Sequence, residues 1–162
     1  MDIIDSGVPV RSKSFKASIS ERETITNILK EWKHHGIVDD TRSPYASACI
    51  LGNKEDGDQR FVGGFRPLNS QTVEMNYPIS TIDEQFEGLH RHTLFTLLDM
   101  GNAYLQIPLT EKAKQKTAFI TPDTTGHFNR MIFGLWNAPY EFSRLISIVL
   151  GPLGRHSALV SG

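Results

Sequence analysis

Residues 1–17 show no steady alternation or period of apolar positions and read as an N-terminal arm, with Arg11, Lys13 and Lys16 in a solvated tail. A helical period then sets in. Ile25, Ile28, Leu29 and Trp32 fall on one helix face, Ser20 and Glu23 stand at the spacing of a capping box, and Gly36 supplies the stop. After Ile37-Val38 and a polar turn through Ser43-Pro44, Ala46 to Leu51 and Arg60 to Phe65 read as two strands of a hairpin. Its tip, Asn53 to Asp58, is charged. Gly63-Gly64 inside the second strand weakens it and marks a bulge or a close backbone approach.

The second half repeats the mixture. Tyr77-Pro78 opens a helix in which Thr81 and Glu84 again have capping-box spacing and Ile79, Ile82, Phe86 and Leu89 share a face. His90-Arg91-His92 closes it, with bases placed at the negative end of the helix dipole. Leu94 to Leu98 reads as a buried strand that delivers Asp99 at its end. Thr117 to Thr121 and His127 to Phe133 form a second hairpin across Pro122–Gly126. Pro139 suits the first turn of a last helix, striped by Phe142, Leu145, Ile146 and Val149 and ended by Gly151-Pro152. Helices and antiparallel hairpins without regular strand–helix alternation argue for an α+β fold with about three main helices.

Composition adds exclusions. Hydrophobic residues make up 39% and charged residues 22%, ordinary for a globular protein. No run approaches the roughly 18 apolar residues of a membrane span, and the start, Met1-Asp2-Ile3-Ile4-Asp5, carries acids where a signal peptide carries bases. An intracellular protein without a membrane partner is expected. Cys49 is the single cysteine and sits in an apolar run, which excludes an internal disulfide and favours a buried packing role. His34-His35 and the His90/His92 pair lack further ligands at metal-binding spacing and read as surface residues, and Asp39-Asp40 reads as a surface turn. With 17 basic and 18 acidic residues, the net charge of −1 lacks the basic excess usual for nucleic-acid binders, so any such role requires the bases to gather in one groove.

The chemistry centres on Asp99. A carboxylate at the end of an apolar strand is either a cap or a ligand-binding group, because buried charge needs a partner. Its continuation, Met100-Gly101-Asn102-Ala103-Tyr104-Leu105-Gln106-Ile107-Pro108-Leu109, and the block from Met131 through Phe133-Gly134-Leu135-Trp136-Asn137-Ala138-Pro139 to Phe142 resemble reverse transcriptases of gypsy-type long-terminal-repeat retrotransposons. Further blocks agree in order and spacing: Gly36-Ile37-Val38, Ser43-Pro44-Tyr45-Ala46-Ser47, Arg60-Phe61, Phe65-Arg66-Pro67-Leu68-Asn69, Tyr77-Pro78-Ile79 and Lys116-Thr117-Ala118-Phe119.

The resemblance implies an incomplete right-hand polymerase fold. After the 1–17 arm, residues 18–160 would form a partial reverse transcriptase domain, with fingers over approximately 18–75 and 107–137 and palm over approximately 76–106 and 138–160. Thumb, connection and RNase H parts are absent from it. The implied chemistry is template-primed deoxynucleotidyl transfer by two Mg²⁺ ions, with an RNA/DNA primer-template and deoxynucleoside triphosphates as substrates and the remainder of a Pol polyprotein as a partner. Asp99 would hold metal, joined by the Met100 carbonyl, and Tyr104 would be the steric gate against a ribose 2′-OH. Arg60 would stack on the incoming base and touch its phosphates, with Lys54 as a second cation. Phe133 and Gly134 would line the nucleotide pocket, and Asn137 and Pro139 the template side.

The sequence departs from that pattern at Gln59, where the family usually has Trp, and at Gly64, where Asp is common. Its second catalytic element, Tyr-x-Asp-Asp, does not occur in these residues. One carboxylate does not hold two divalent ions, so the chain alone is expected to be inactive. The alternative is a domesticated fragment that binds nucleic acid or protein, or an element relic without function.

Overall fold

A computed structural model of the chain describes residues 1–53, 59–78, 93, 94, 96 and 99–150, with the backbone alone at 53, 59 and 60. The expected hairpin tip at 54–58, the helix through 79–92 and the segment from Gly151 onward lie outside the described residues.

The first helix, α1, spans Ile19–His34. Its cap is Ser18, whose hydroxyl accepts from the Glu21 N–H while the Glu21 carboxylate accepts from the Ser18 N–H, so the capping box lies two residues before the expected Ser20–Glu23 pair. Both pairs have the same spacing, and the geometry favours the one that lets Ile25 and Leu29 face the core. Gly36 has φ +65, a left-handed conformation that a glycine takes without strain, and it turns the chain into β1, Val38–Asp40. Asp39 and Asp40 are therefore strand residues, where a turn was expected; Asp39 accepts from Asn129 and Asp40 pairs with Lys33.

Strands β2 (Ser47–Asn53) and β3 (Gln59–Gly63) pair antiparallel in the register Cys49↔Gly63 to Asn53↔Gln59. The hairpin is as expected, but β3 ends earlier than Phe65, because Phe65 turns into the core ahead of the short helix α2, Arg66–Asn69. The polar stretch Glu111–Lys116 forms helix α3, which the apolar pattern did not signal. It is followed by β4 (Phe119–Ile120) and β5 (Thr125–Phe128), joined by a tight turn in which the Thr121 N–H and hydroxyl both donate to the Thr124 carbonyl. The second strand stops at Phe128 because the chain beyond it pairs elsewhere, with Met131 N–H donating to the Ile107 carbonyl.

The sheet order is β1-β5-β4-β2-β3, and β4 lies parallel to β2 where only antiparallel hairpins were expected. One face carries the core: Phe61, Phe65, Phe119 and Phe128 are buried, with Trp32 edge-on to Phe61 and Phe128 at 5.7 and 6.0 Å between ring centroids. Cys49 is buried in the same cluster, and burial pushes its thiol up to about 12, in keeping with a packing role.

Arg11, Lys13 and Lys16 are exposed, but the arm that carries them is docked at other points. Ile3 and Val10 are buried, Arg11 bridges to Ala46, and Asp5 is pinned by Lys116 at 2.9 Å and the Tyr45 hydroxyl at 2.9 Å. The segment is held by two widely spaced apolar side chains and an ion pair, a pattern with no period to read. Of the expected strand at 94–98, Leu94 and Thr96 are described and both are exposed, Leu94 at 91%. Phe95, Leu97 and Leu98 lie outside the described residues. The last helix, α4, spans Ala138–Leu150 with Pro139 in its first turn; Phe142 and Leu145 pack on the core, but Ile148 and Val149 face outward. Among the described residues, no helix is long and apolar enough to cross a membrane.

Candidate active site

The site is built where the turn after Asp99 meets the loop before α4. Gly101 and Asn102 make that turn: the Gln106 side chain donates to the Gly101 carbonyl at 3.0 Å, and Asn102 takes a left-handed φ of 51. A single 3₁₀ turn, Ala103–Gln106, follows. Ile107 and Leu109 are buried and tied by backbone hydrogen bonds to Met131 and Asn129, which anchors the far end. Tyr104 is thereby set against two aromatic rings, Phe133 at 4.7 Å and Phe142 at 5.5 Å between centroids. Burial raises the Tyr104 hydroxyl pKa, so the ring enters any chemistry near neutrality as a neutral phenol.

The loop bearing Phe133 is held from both sides by asparagines. Asn69, at the end of α2, donates through Nδ2 to the Gly134 carbonyl at 2.7 Å and accepts through Oδ1 from the Trp136 N–H at 3.0 Å. Asn137 does the converse, donating to the Val73 carbonyl at 2.8 Å and accepting from the Met75 N–H at 3.0 Å. Gly134 has φ +92, and Gly63 O would stand 3.6 Å from a β-carbon there. Gly64 is equally constrained, since a β-carbon would come within 2.8 Å of the Ala48 carbonyl oxygen. Glycine at 64 thus follows from the close backbone approach that the Gly63-Gly64 pair suggested.

Of the residues marked out in the sequence, Tyr104, Phe133 and Gly134 come together. Asp99 and Met100 stand exposed at the start of the same turn, and Pro139 is exposed in the first turn of α4. Asn137 is 2% exposed with both ends of its amide engaged, so it holds the loop. Arg60 contributes its backbone to β3 opposite Gly52; its side chain and Lys54 lie outside the described residues. Asn69 was overlooked as a site residue. A signal existed in Pro67-Leu68-Asn69, where a short helix ends on a side chain able to donate and accept at once. As for metal, Asp99 offers one hard oxygen donor of the kind Mg²⁺ takes, and no group of three or more His, Cys, Asp or Glu gathers among the described residues.

The family model for "Reverse transcriptase (RNA-dependent DNA polymerase)" matches residues 52–160, a span that takes in the turn at Asp99, Tyr104 and the Phe133 loop. The chain belongs to the reverse transcriptase family. Among curated proteins it is 32% identical over 157 residues to the retrovirus-related Pol polyprotein from transposon 297 of Drosophila melanogaster, covering 94% of this chain and 15% of that one. It is also 32% identical over 148 residues to the Pol polyprotein from transposon gypsy of the same organism, covering 88% and 14%. This reverse transcriptase segment therefore spans about one-seventh of the polyproteins it matches. A crystal structure of the prototype foamy virus protease–reverse transcriptase overlays with a TM-score of 0.80 at 19% identity, over 91% of this chain and 20% of that one. The fold is that of a partial polymerase.

Proposed function

We propose that this chain forms the fingers and first palm portion of an RNA-directed DNA polymerase encoded by a gypsy-type retrotransposon. In the intact enzyme it would bind a deoxynucleoside triphosphate beside an RNA or DNA primer–template, inside the cell. The observation that carries this reading is the meeting of Tyr104 and Phe133, 4.7 Å between ring centroids, on the turn that starts at exposed Asp99.

Tyr104 packs against both Phe133 and Phe142, which limits the room its ring has to yield. A rigid ring beneath a sugar rejects the extra hydroxyl of a ribonucleotide by steric clash, which is specificity through repulsion. Gly134, with no side chain, lets a substrate approach the backbone closely beside Phe133. Arg60 would offer a planar fork to the base and phosphates, with Lys54 adding charge from the hairpin tip. Asp99, joined by the Met100 carbonyl, would supply one part of a Mg²⁺ ligand set. Two such ions stabilise the attacking and leaving oxygens of an in-line phosphoryl displacement. In this division, residues 18–75 and 107–137 act as fingers and 76–106 and 138–160 as palm.

Template-primed incorporation tests the reading in two steps. The 162-residue polypeptide is expected to extend no primer with Mg²⁺, since a single carboxylate does not hold two ions. In a Pol polyprotein carrying this segment, Tyr104→Ala is expected to lower the preference for deoxynucleotides over ribonucleotides by about tenfold or more. Robust synthesis by the short chain, or unchanged sugar preference in the variant, overturns it.

A further inference from the structure

The turn that carries Tyr104 is a weak element by itself. Ala103–Gln106 is one turn of 3₁₀ helix, closed by the Leu105 N–H on the Asn102 carbonyl at 2.9 Å and the Ile107 N–H on the Tyr104 carbonyl at 3.1 Å. Hydrogen bonds of that kind have poorer geometry than those of an α-helix, and a single turn does not sustain itself. It starts from Asn102 at φ 51, a left-handed conformation that costs a side chain more than it costs glycine. Tyr104 packs on Phe133 and Phe142, but elsewhere the turn faces an open hollow of about 420 Å³, lined also by His35, Ile37 and Arg130.

Its two ends are held differently. At the far end, Arg130 donates through Nη1 to the Gln106 carbonyl at 3.3 Å, and the Met131 N–H donates to the Ile107 carbonyl at 2.8 Å. At the near end, beside Asp99, the Gln106 side chain reaches back and donates through Nε2 to the Gly101 carbonyl at 3.0 Å. Among the described residues it is the one side-chain hydrogen bond that reaches residues 99–102. Gln106 is exposed, so burial does not account for this side chain. The position uses a side chain long enough to span the turn and ending in an N–H, since a carbonyl only accepts. The bond joins the second residue after Asp99 to the second residue after Tyr104. It thereby encloses the left-handed kink at Asn102 and the backbone of Tyr104 in one closed loop.

We infer that Gln106 is a positioning residue: its amide holds the kink at Asn102 closed and so fixes where the Tyr104 ring meets a nucleotide sugar. The inference rests on the polymerase reading and deepens it, because part of the sugar preference then belongs to a side chain that acts only through another. Repulsion is steep in distance, so a ring that can recede slightly tolerates a hydroxyl that a fixed ring rejects.

Three variants separate the bond from the bulk. Gln106→Met keeps the length and loses the donor, Gln106→Glu keeps the shape and turns an acceptor toward an acceptor, and Gln106→Lys keeps a donor at comparable reach. In the 162-residue chain, amide hydrogen exchange at Leu105, read by NMR, should be about fivefold faster in Gln106→Met and Gln106→Glu, the weight of one hydrogen bond. Gln106→Lys should stay near the parent rate. In a Pol polyprotein carrying this segment, Gln106→Met and Gln106→Glu should lower the preference for deoxynucleotides over ribonucleotides by about fivefold, with Gln106→Lys again close to the parent. A merely structural role would slow incorporation of both sugars alike and leave that ratio in place. Unchanged exchange, an unchanged ratio, or a ratio that falls as far in Gln106→Lys as in the other two overturns the inference. Tyr104→Ala in the same polyprotein keeps the two readings apart. If it lowers the ratio while the Gln106 variants do not, Gln106 has no positioning role and the polymerase reading stands. If it too leaves the ratio unchanged, both fall.

Discussion

The sheet with its covering helix and the turn that starts at Asp99 differ in what their side chains answer to. On the sheet, Phe61, Phe65, Phe119 and Phe128 are buried among one another, and even the N-terminal arm is drawn in through Ile3, Val10 and the Asp5–Lys116 pair. Around the turn, Asp99, Met100, Gly101 and Asn102 are all exposed, Phe133 and Trp136 face outward, and α4 leaves Ile148 and Val149 uncovered. One region is made of side chains that satisfy each other. The other leaves these groups exposed. The contrast teaches where stability and chemistry are lodged: substitutions in the first should change folding, and substitutions in the second should leave folding alone.

The largest effect should come from Phe128→Ala. This ring is wholly buried and meets Phe119 at 5.0 Å, Trp32 at 6.0 Å and Phe65 at 6.1 Å between centroids. Removing it empties the centre of the cluster and should cost about 4 kcal/mol of stability in urea denaturation. A cost below about 1 kcal/mol would mean the sheet side is not the tightly packed body described above.

Asp5→Asn is next and adds a pH signature. Burial pushes the Asp5 carboxyl up, but hydrogen bonds from Lys116, the Tyr45 hydroxyl and the Gly7 N–H outweigh it, so its pKa lies below the ordinary aspartate value. The sign follows. A carboxylate depressed in the folded state contributes stability above its unfolded pKa, about 4, and loses it as pH falls through the folded value. At neutral pH the variant should be less stable by about 3 kcal/mol, the low end for a broken buried pair, because Lys116 keeps the Ile3 carbonyl at 2.6 Å. Urea midpoints taken at pH 7 and again near pH 2 should show the gap to the parent closing. A gap that does not change with pH would show that the arm is held by its apolar side chains alone. Ser18→Ala is smaller still, about 1 kcal/mol, and checks which of two overlapping caps starts α1; Ser20→Ala should cost less.

That overlap illustrates how far the sequence could be read. The α1 face, the β2–β3 hairpin and the Pro139 helix were legible because each is a local pattern: a period, an alternation or a turn residue. Ser18-x-x-Glu21 and Ser20-x-x-Glu23 carry the same signal, and only tertiary packing chooses between them. Helix α3 escaped because Glu111–Lys116 is polar apart from Ala113 and has no stripe to reveal it. The parallel β2–β4 pairing and the Asp5–Lys116 pair join residues far apart in the chain, and no spacing rule reaches them. For the site, the motif blocks brought out Tyr104, Phe133 and Gly134 because residue type and spacing define them. The clamp by Asn69 is only hinted at by Pro67-Leu68-Asn69, since an asparagine tying two backbone groups looks like any other until both ends of its amide are traced.

The smallest expected effect is the most pointed. Asp99 is exposed, and among the described residues the turn beside it is closed by Gly101, Asn102 and Gln106. Asp99→Asn should therefore shift the stability of this chain by no more than about 0.5 kcal/mol, the usual range for a surface substitution free of a cap or buried partner. Equilibrium urea denaturation decides it. A loss of 2 kcal/mol would mean that the carboxylate serves the fold, and the division between a self-sufficient sheet and an outward-facing turn would fail at its central residue. No measurable loss would leave Asp99 without a structural role, at the head of the turn that carries Tyr104. That is the behaviour expected of a group whose partner is a ligand.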